Sequence, residues 1–336
     1  IASLNVTGDH VLVATNTWRP IVSHDGILIY IPFEIVTPNQ LVIVDRSGQV
    51  QTTIGEVQPA ISEPDISPDG RQVAVRAFDQ QLRSDIWIHD IEKGFKEQLT
   101  FDPFASDAPS WSPTGDRILY RSASGLRIQS SDGGGTSEQL LKPVQFVFAP
   151  SWSPDGRFVV FNTSMDSTGR DIWYFSLNGN QSPEPQPLVV TPADEIDAVI
   201  SPDGRYVAYV SDTSGHWEVY VTSFPSGEGQ WLISDNNGGV YPKWSKQGDE
   251  LFYVQDNTLM AVPVETTPEY SKKGTPTPLF DGDPIRVLLY SGGIPVFSYY
   301  DVMDDGNHFV MVQDIITDQG APTITVVQNW VKEFEE

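Results

Sequence analysis

A turn of the form Ser-Pro-Asp-Gly recurs along the chain and limits what the chain can fold into. It reads SPDG at 67–70, 153–156 and 201–204, with degenerate copies SHDG at 23–26, SPTG at 112–115, SKQG at 245–248 and MDDG at 303–306. The closing glycines stand 44, 45, 41, 48, 44 and 58 residues apart. Pro fixes φ at the first corner of such a turn, Asp bonds its own backbone, and Gly takes the positive-φ position. Each turn leads into a β-branched or aromatic run of strand length, such as QVAVRA at 72–77, RILYRS at 117–122 and RYVAYV at 205–210. A further strand follows, as in DIWIHD at 85–90 and DIWYFS at 171–176. A period in the forties is that of four-stranded propeller blades.

Counting back from each glycine gives the register. Sixteen places before stand Ile54, Leu99, Leu140, Leu188 and Leu232, which mark the outermost strand of the preceding blade. Four places before stand Val22, Ile66, Trp111, Trp152, Ile200, Trp244 and Val302, all apolar, the expected anchors between neighbouring sheets. Seven turns predict an all-β, seven-bladed β-propeller occupying 1–336 as a single domain. The N-terminal strand, at about 8–15, is expected to pair into the last blade and close the ring, which removes free edges. Six blades, with the first or last copy degenerate, is the alternative. The longest gap, rich in Pro, Gly and Asp over 276–293, reads as a surface connection.

Charge narrows the partners. The 336 residues carry 20 Lys and Arg against 45 Asp and Glu, a formal net charge of −25. Phosphate binding needs clustered cations, so nucleic acid is not an expected partner, and anionic membrane surfaces are disfavoured for the same reason. With no Cys there is no disulfide, thiolate metal site or cysteine nucleophile. No apolar run reaches membrane-spanning length, so direct membrane insertion is not expected. The chain opens on Ile1 without a basic-then-apolar leader and reads as a processed protein or an excised domain.

Local catalytic signals are sparse. His10, His24, His89, His216 and His308 show no metal-ligand spacing, and no GxSxG elbow occurs. The glycine-rich DGGG at 132–135 precedes a strand-like EQLL and reads as a blade connection. No cofactor is expected; Ca²⁺ in the acidic turns DSTGRD at 166–171 and DTSGHWE at 212–218 is the minor alternative to plain turn chemistry. Residues entering the inner strands should face the central channel. They are Trp18, Arg19, Glu63, Asp107, Asp197, Tyr241 and Tyr299, with Lys243 just beyond. Carboxylates, aromatics and two cations suit a polar ligand, a cationic peptide or a sugar.

The repeat resembles the TolB-type, WD40-like propeller repeats of bacteria. Segments such as YVSDTSGHWEVYVTSFP at 209–225, LMAVPVET at 259–266 and VVQNWVKEFEE at 326–336 resemble the C-terminal propellers linked to bacterial serine/threonine kinases and sensor proteins. That resemblance implies a non-catalytic sensor or interaction domain binding a protein, peptide or small polar ligand at its channel mouth. It also implies a periplasmic or extracellular setting and a link to a kinase or other signalling protein. The alternative is a metal-dependent enzyme, a glycan lyase or a lactone or ester hydrolase, with a divalent cation in the channel on Glu63, Asp107 and Asp197.

Overall fold

A computed structural model describes residues 38–79, 83–102, 104–142, 148–164, 168–177, 183–290 and 293–315, and the strands Thr17–Val22, Ile27–Pro32 and Thr325–Gln328. Within Pro38–Ile315 the described residues form six antiparallel sheets on one plan: the strand before each repeat turn is innermost, and later strands step outward. Blade one is Ser62–Ile66, Gln72–Phe78, Ser84–Asp90 and Lys96–Gln98. Blade two is Ser106–Trp111, Arg117–Ser122, Gly125–Ser130 and Glu138–Leu141. Blade three is Phe148–Trp152, Phe158–Thr163, Asp171–Ser176 and Gln186–Val189. Blade four is Glu195–Ile200, Tyr206–Ser211, Glu218–Ser223 and Trp231–Leu232. Blade five is Val240–Trp244, Glu250–Gln255, Thr258–Glu265 and Thr277–Asp281, with Ser271–Lys272 beside its third strand. Among the described residues the only helical segment is a 3-10 turn at Asp283–Ile285.

Blade six comes from both ends of this unit. Tyr300–Val302 and His308–Asp314 supply its inner strands, Pro38–Asp45 and Val50–Pro59 its outer ones. The ladder runs unbroken from His308 opposite Asp45 to Asp314 opposite Asn39. Successive inner strands are neighbours from blade one to blade six and back to blade one, so the ring is closed.

The seven-bladed expectation is therefore corrected to six blades, and the closing strands are 38–59 rather than 8–15. The repeat turn joins only the first and second strands of a blade and does not specify which outer strands complete it. The runs LVIV at 41–44 and FVMV at 309–312 are both buried on both faces, and they meet each other. Thr17–Val22 and Ile27–Pro32 instead form a three-stranded sheet with Thr325–Gln328, in a separate unit of residues 1–37 and 316–336. Residues 8–15 and the turn at 23–26 lie outside the described residues.

The repeat turn works as its composition implies. Ser67 Oγ donates to Asp69 Oδ1 at 2.7 Å and accepts the Gln72 N–H at 2.9 Å, and Gly70 closes the turn at φ 70°. In two degenerate copies the acid moves just past the glycine: Ser112 Oγ donates to Asp116 Oδ1 at 3.0 Å and Ser245 Oγ to Asp249 Oδ1 at 2.7 Å. The DGGG segment is a turn between strands, with the Gly134 N–H donated to Asp132 Oδ1 at 2.8 Å.

The tryptophan anchors lock blade to blade. The indole N–H of Trp111 donates to Asp65 O at 3.0 Å, that of Trp152 to Ser110 O at 3.2 Å, and that of Trp244 to Val199 O at 3.2 Å. Each bond crosses to the preceding blade and adds about 1 kcal/mol to the packing of a buried ring. Phe309 of blade six meets Phe252 of blade five edge-on at 5.2 Å.

Blade six also covers a buried imidazole on blade one. A side chain at Gly55, where φ is +63°, would meet Gly94 O at 3.0 Å and His89 Nδ1 at 3.3 Å. His89 is 0% exposed, and neither ring nitrogen has a hydrogen-bond partner. Burial, aided by Lys96, pushes its pKa down to about 4.

Two predictions follow from this closure. The fragment 38–315 should melt cooperatively with native near-UV dichroism, whereas 60–315, lacking the outer strands of blade six, should not; equal behaviour of the two would contradict the six-bladed ring. An unfolded His89 takes up its proton near pH 6.5 and the native one only near pH 4. Stability is thus lost as pH falls through that window, by about 3 kcal/mol from this residue. Urea unfolding at pH 7 and pH 4 should show that loss in the parent chain relative to His89→Phe.

Candidate functional site

The inner strands share a backbone distortion that shapes the channel. Seven places before the repeat glycine, Glu63, Ala108, Ala149, Asp197 and Tyr241 all have positive φ, between 43° and 58°. Each lies where the pairing of its inner strand with the second strand slips, for example between Ser62 and Asp65 and between Ile196 and Val199. Left-handed conformations cost non-glycine residues about 1–2 kcal/mol each. The bulges bring Glu63, Asp65, Ser110, Ser151, Asp197 and Lys243 to the wall of one cavity of about 90 Å³.

The connection between Asp283–Ile285 and Tyr300–Val302, described at 286–290 and 293–299, supplies Val296 and Ser298 to the wall of this cavity as a strap. One end is held by Asn257 Oδ1, which accepts the Leu289 N–H at 2.7 Å, and by Gln313 Nε2, which donates to Ile285 O at 2.7 Å. At the other end the Glu63 N–H donates to Ser298 O at 2.7 Å, and the Arg76 guanidinium lies 4.7 Å over the Phe297 ring.

Carboxylates stitch the wall around blades six, one and two. Asp301 Oδ2 accepts the Ile66 N–H at 2.8 Å, Asp65 Oδ2 the Trp111 N–H at 2.7 Å, and Glu63 Oε2 the Ala108 N–H at 3.1 Å. Burial, reinforced by Asp107, raises the Glu63 pKa to about 8; burial, reinforced by Asp301, raises that of Asp65 to about 7. Asp197 is pushed up to about 6 by burial, against the pull of Lys243, and its Oδ2 has no hydrogen-bond partner. Lys243 Nζ lies 3.4 Å from Asp301 Oδ1. Burial opposes its charge, but Asp301, Asp65 and Asp197 outweigh that and hold its pKa above the ordinary lysine value.

Of the residues expected at the mouth, Glu63, Asp197 and Lys243 come together on the channel wall. Asp107 is turned into a two-toothed ion pair with Arg121. Tyr241 is buried against Tyr290, with ring centroids 6.2 Å apart, and Tyr299 packs on the core of blades six and one. Trp18 and Arg19 fall on Thr17–Val22 of the separate unit, and their side chains lie outside the described residues. The sequence reading missed Asp65, Asp301, Ser110 and Ser151. All four stand five places before their glycine, as Lys243 does, so the count that found Lys243 finds them too.

Among the described residues no three His, Asp or Glu side chains group as metal ligands, Glu63, Asp107 and Asp197 included. His89, His216 and His308 stand in different blades, while His10, His24 and residues 166–167 lie outside the described residues. In the 212–218 turn, Glu218 is held by Ser234, by the Gly238 N–H at 3.1 Å and by His216 Nε2 at 2.6 Å. The acid stands between serine and histidine there, so the order is not the serine–histidine–acid order of a hydrolytic triad.

Residues 134–273 match the TolB beta propeller domain family. Over that stretch the repeats are of the TolB type. A Tol-Pal system protein TolB of Alcanivorax borkumensis is 36% identical over 81 residues, 24% of this chain and 19% of that protein. The uncharacterized peptidase YuxL of Bacillus subtilis is 28% identical over 185 residues, 52% of this chain and 26% of the peptidase. The chain thus spans about a fifth to a quarter of the length of these relatives. A structure assigned as TolB from Agrobacterium tumefaciens superposes with TM-score 0.63 at 18% identity, covering 84% of this chain and 99% of that one, a likeness of fold. In this propeller the acidic wall sits at the inner-strand bulges, beside the strap.

The wall makes a pH prediction. Glu63 keeps its proton to about pH 8 when folded and to about 4.5 when unfolded, so stability falls as pH rises across that window. The melting temperature should drop from pH 5 to pH 8, and Glu63→Gln should shrink the drop. An unchanged slope in Glu63→Gln would contradict the assigned burial.

Proposed function

We propose that this chain is a non-catalytic, protein-binding propeller that receives a basic segment of a partner at its channel mouth. Charge carries the reading: Glu63, Asp65 and Asp197 line a cavity whose one lining cation among the described residues is Lys243. Burial favours protonated carboxyls there, and a partner's cationic group can take the place of those protons. The cavity, at about 90 Å³, admits side-chain heads rather than a folded element. The name of the Alcanivorax relative, a Tol-Pal system protein, supports assembly with proteins. Among the described residues no helix is long and apolar enough to cross a membrane.

The sensor role and the periplasmic or extracellular setting belong to the same proposal and follow the TolB-type resemblance. A link to a kinase or other signalling protein rests on the sequence segments alone. A hydrolytic reading leans on the peptidase similarity, which covers 26% of that enzyme.

The test is calorimetric titration with a short peptide bearing two lysines among apolar residues. Affinity should rise from pH 5 to pH 8, with proton release, and fall as salt is added. Equal binding of the glutamate counterpart, or no binding at any pH, would contradict the reading.

A further inference from the structure

A second cavity, of about 40 Å³, opens beside the channel between blades three and four. Asn162 and Arg170 of blade three, Ile196 and Asp197 of blade four, and Pro295 and Val296 of the strap line it. Asn162 is 2% exposed, and its Oδ1 has no hydrogen-bond partner. Asp197 Oδ2 is in the same condition. The charge of the cation in the wall is balanced by Asp194, to whose Oδ2 Arg170 Nη2 donates at 3.1 Å. Two residues that line one small space thus each carry a buried acceptor atom without a hydrogen-bond partner, and leaving such atoms unpaired is costly.

We propose that this pocket takes the ε-ammonium of a lysine side chain, with Asn162 Oδ1 and Asp197 as its acceptors and Ile196, Pro295 and Val296 along its methylene stem. The inference deepens the protein-binding reading and rests on it for the source of the lysine. A primary ammonium fits better than a guanidinium for two reasons. Its donors can diverge toward acceptors on separate strands, and its stem is slender, whereas the planar fork of arginine suits bidentate partners lying in one plane. Asp197 also lines the channel, so a segment lying across the mouth can lower one side chain into the pocket without leaving the acidic wall.

The probe is Nα-acetyl-lysine methylamide, compared by ligand-observed NMR with its norleucine and 6-hydroxynorleucine analogues, on the full chain at pH 8. The lysine compound should bind at least about tenfold more tightly than either analogue, and Asn162→Leu and Asp197→Asn should each weaken it about tenfold or more. Asn tolerates the left-handed backbone at 197, so the second variant preserves the fold. Equal binding of the norleucine analogue, a match by the hydroxyl analogue, or no binding of the lysine compound would overturn the pocket. Weakening by Glu63→Gln with no effect of Asn162→Leu would place the ammonium on the channel axis; that overturns the pocket and leaves the channel reading standing. Binding of the lysine compound with no response to any lysine peptide would leave the pocket standing and remove the channel reading.

Discussion

Everything in the six-bladed unit depends on the pairing of His308–Asp314 with Pro38–Asp45. Without it, two strands buried on both faces would each present an unpaired edge, and the runs LVIV and FVMV would face water. With it, segments more than 250 residues apart in sequence become one sheet, the last inner strand returns to the first, and a closed channel exists. Packing across the seam is aromatic and aliphatic, with Phe309 set between Phe252 and Phe280. Its specificity comes from register, because a one-residue slip would turn every side chain to the opposite face.

Closure also holds the strained residues of the inner strands. Five non-glycine residues in left-handed conformation would relax if their neighbours let them. The bonds from Trp111, Trp152 and Trp244 to the preceding blade fix the strand just beyond each of their bulges. The bonds from the Ala108, Trp111 and Ile66 amides to carboxylates do the same on the channel side. The acidic wall is therefore part of the scaffold as well as a binding surface. Its carboxyls resist ionisation because they are buried near one another, and a basic partner would relieve that resistance.

Much of the fold was legible in the sequence. The turn chemistry, the strand after each turn, the outer-strand residues Leu140, Leu188 and Leu232 and the tryptophan anchors follow from residue type and spacing. The blade count did not. The turn at 23–26 looks like its copies, and nothing in it says that the strands at 38–59 pair with residues beyond 300. At the site, counting from the glycine found Glu63, Asp197 and Lys243, because they ride on the repeat. Val296 and Ser298 sit on a strap with no repeat frame, and Asn162 looks like any polar strand residue until the neighbouring blade is in place. Asp107 carried the right charge in the right register, but the sequence does not show that Arg121 takes it.

The absence of cysteine offers a direct test of ring closure. Val42 and Met311 stand opposite each other, as do Ile43 and Val310, and adjacent antiparallel pairs alternate between hydrogen-bonded and non-hydrogen-bonded geometry. Double-cysteine variants at these two pairs, oxidised in the folded state and mapped by mass spectrometry, should give an intramolecular crosslink in at least one. Failure of both pairs, alongside a crosslink from Met311→Cys to a cysteine placed between residues 8 and 15, would show that the N-terminal segment closes the ring and that the six-bladed account is wrong.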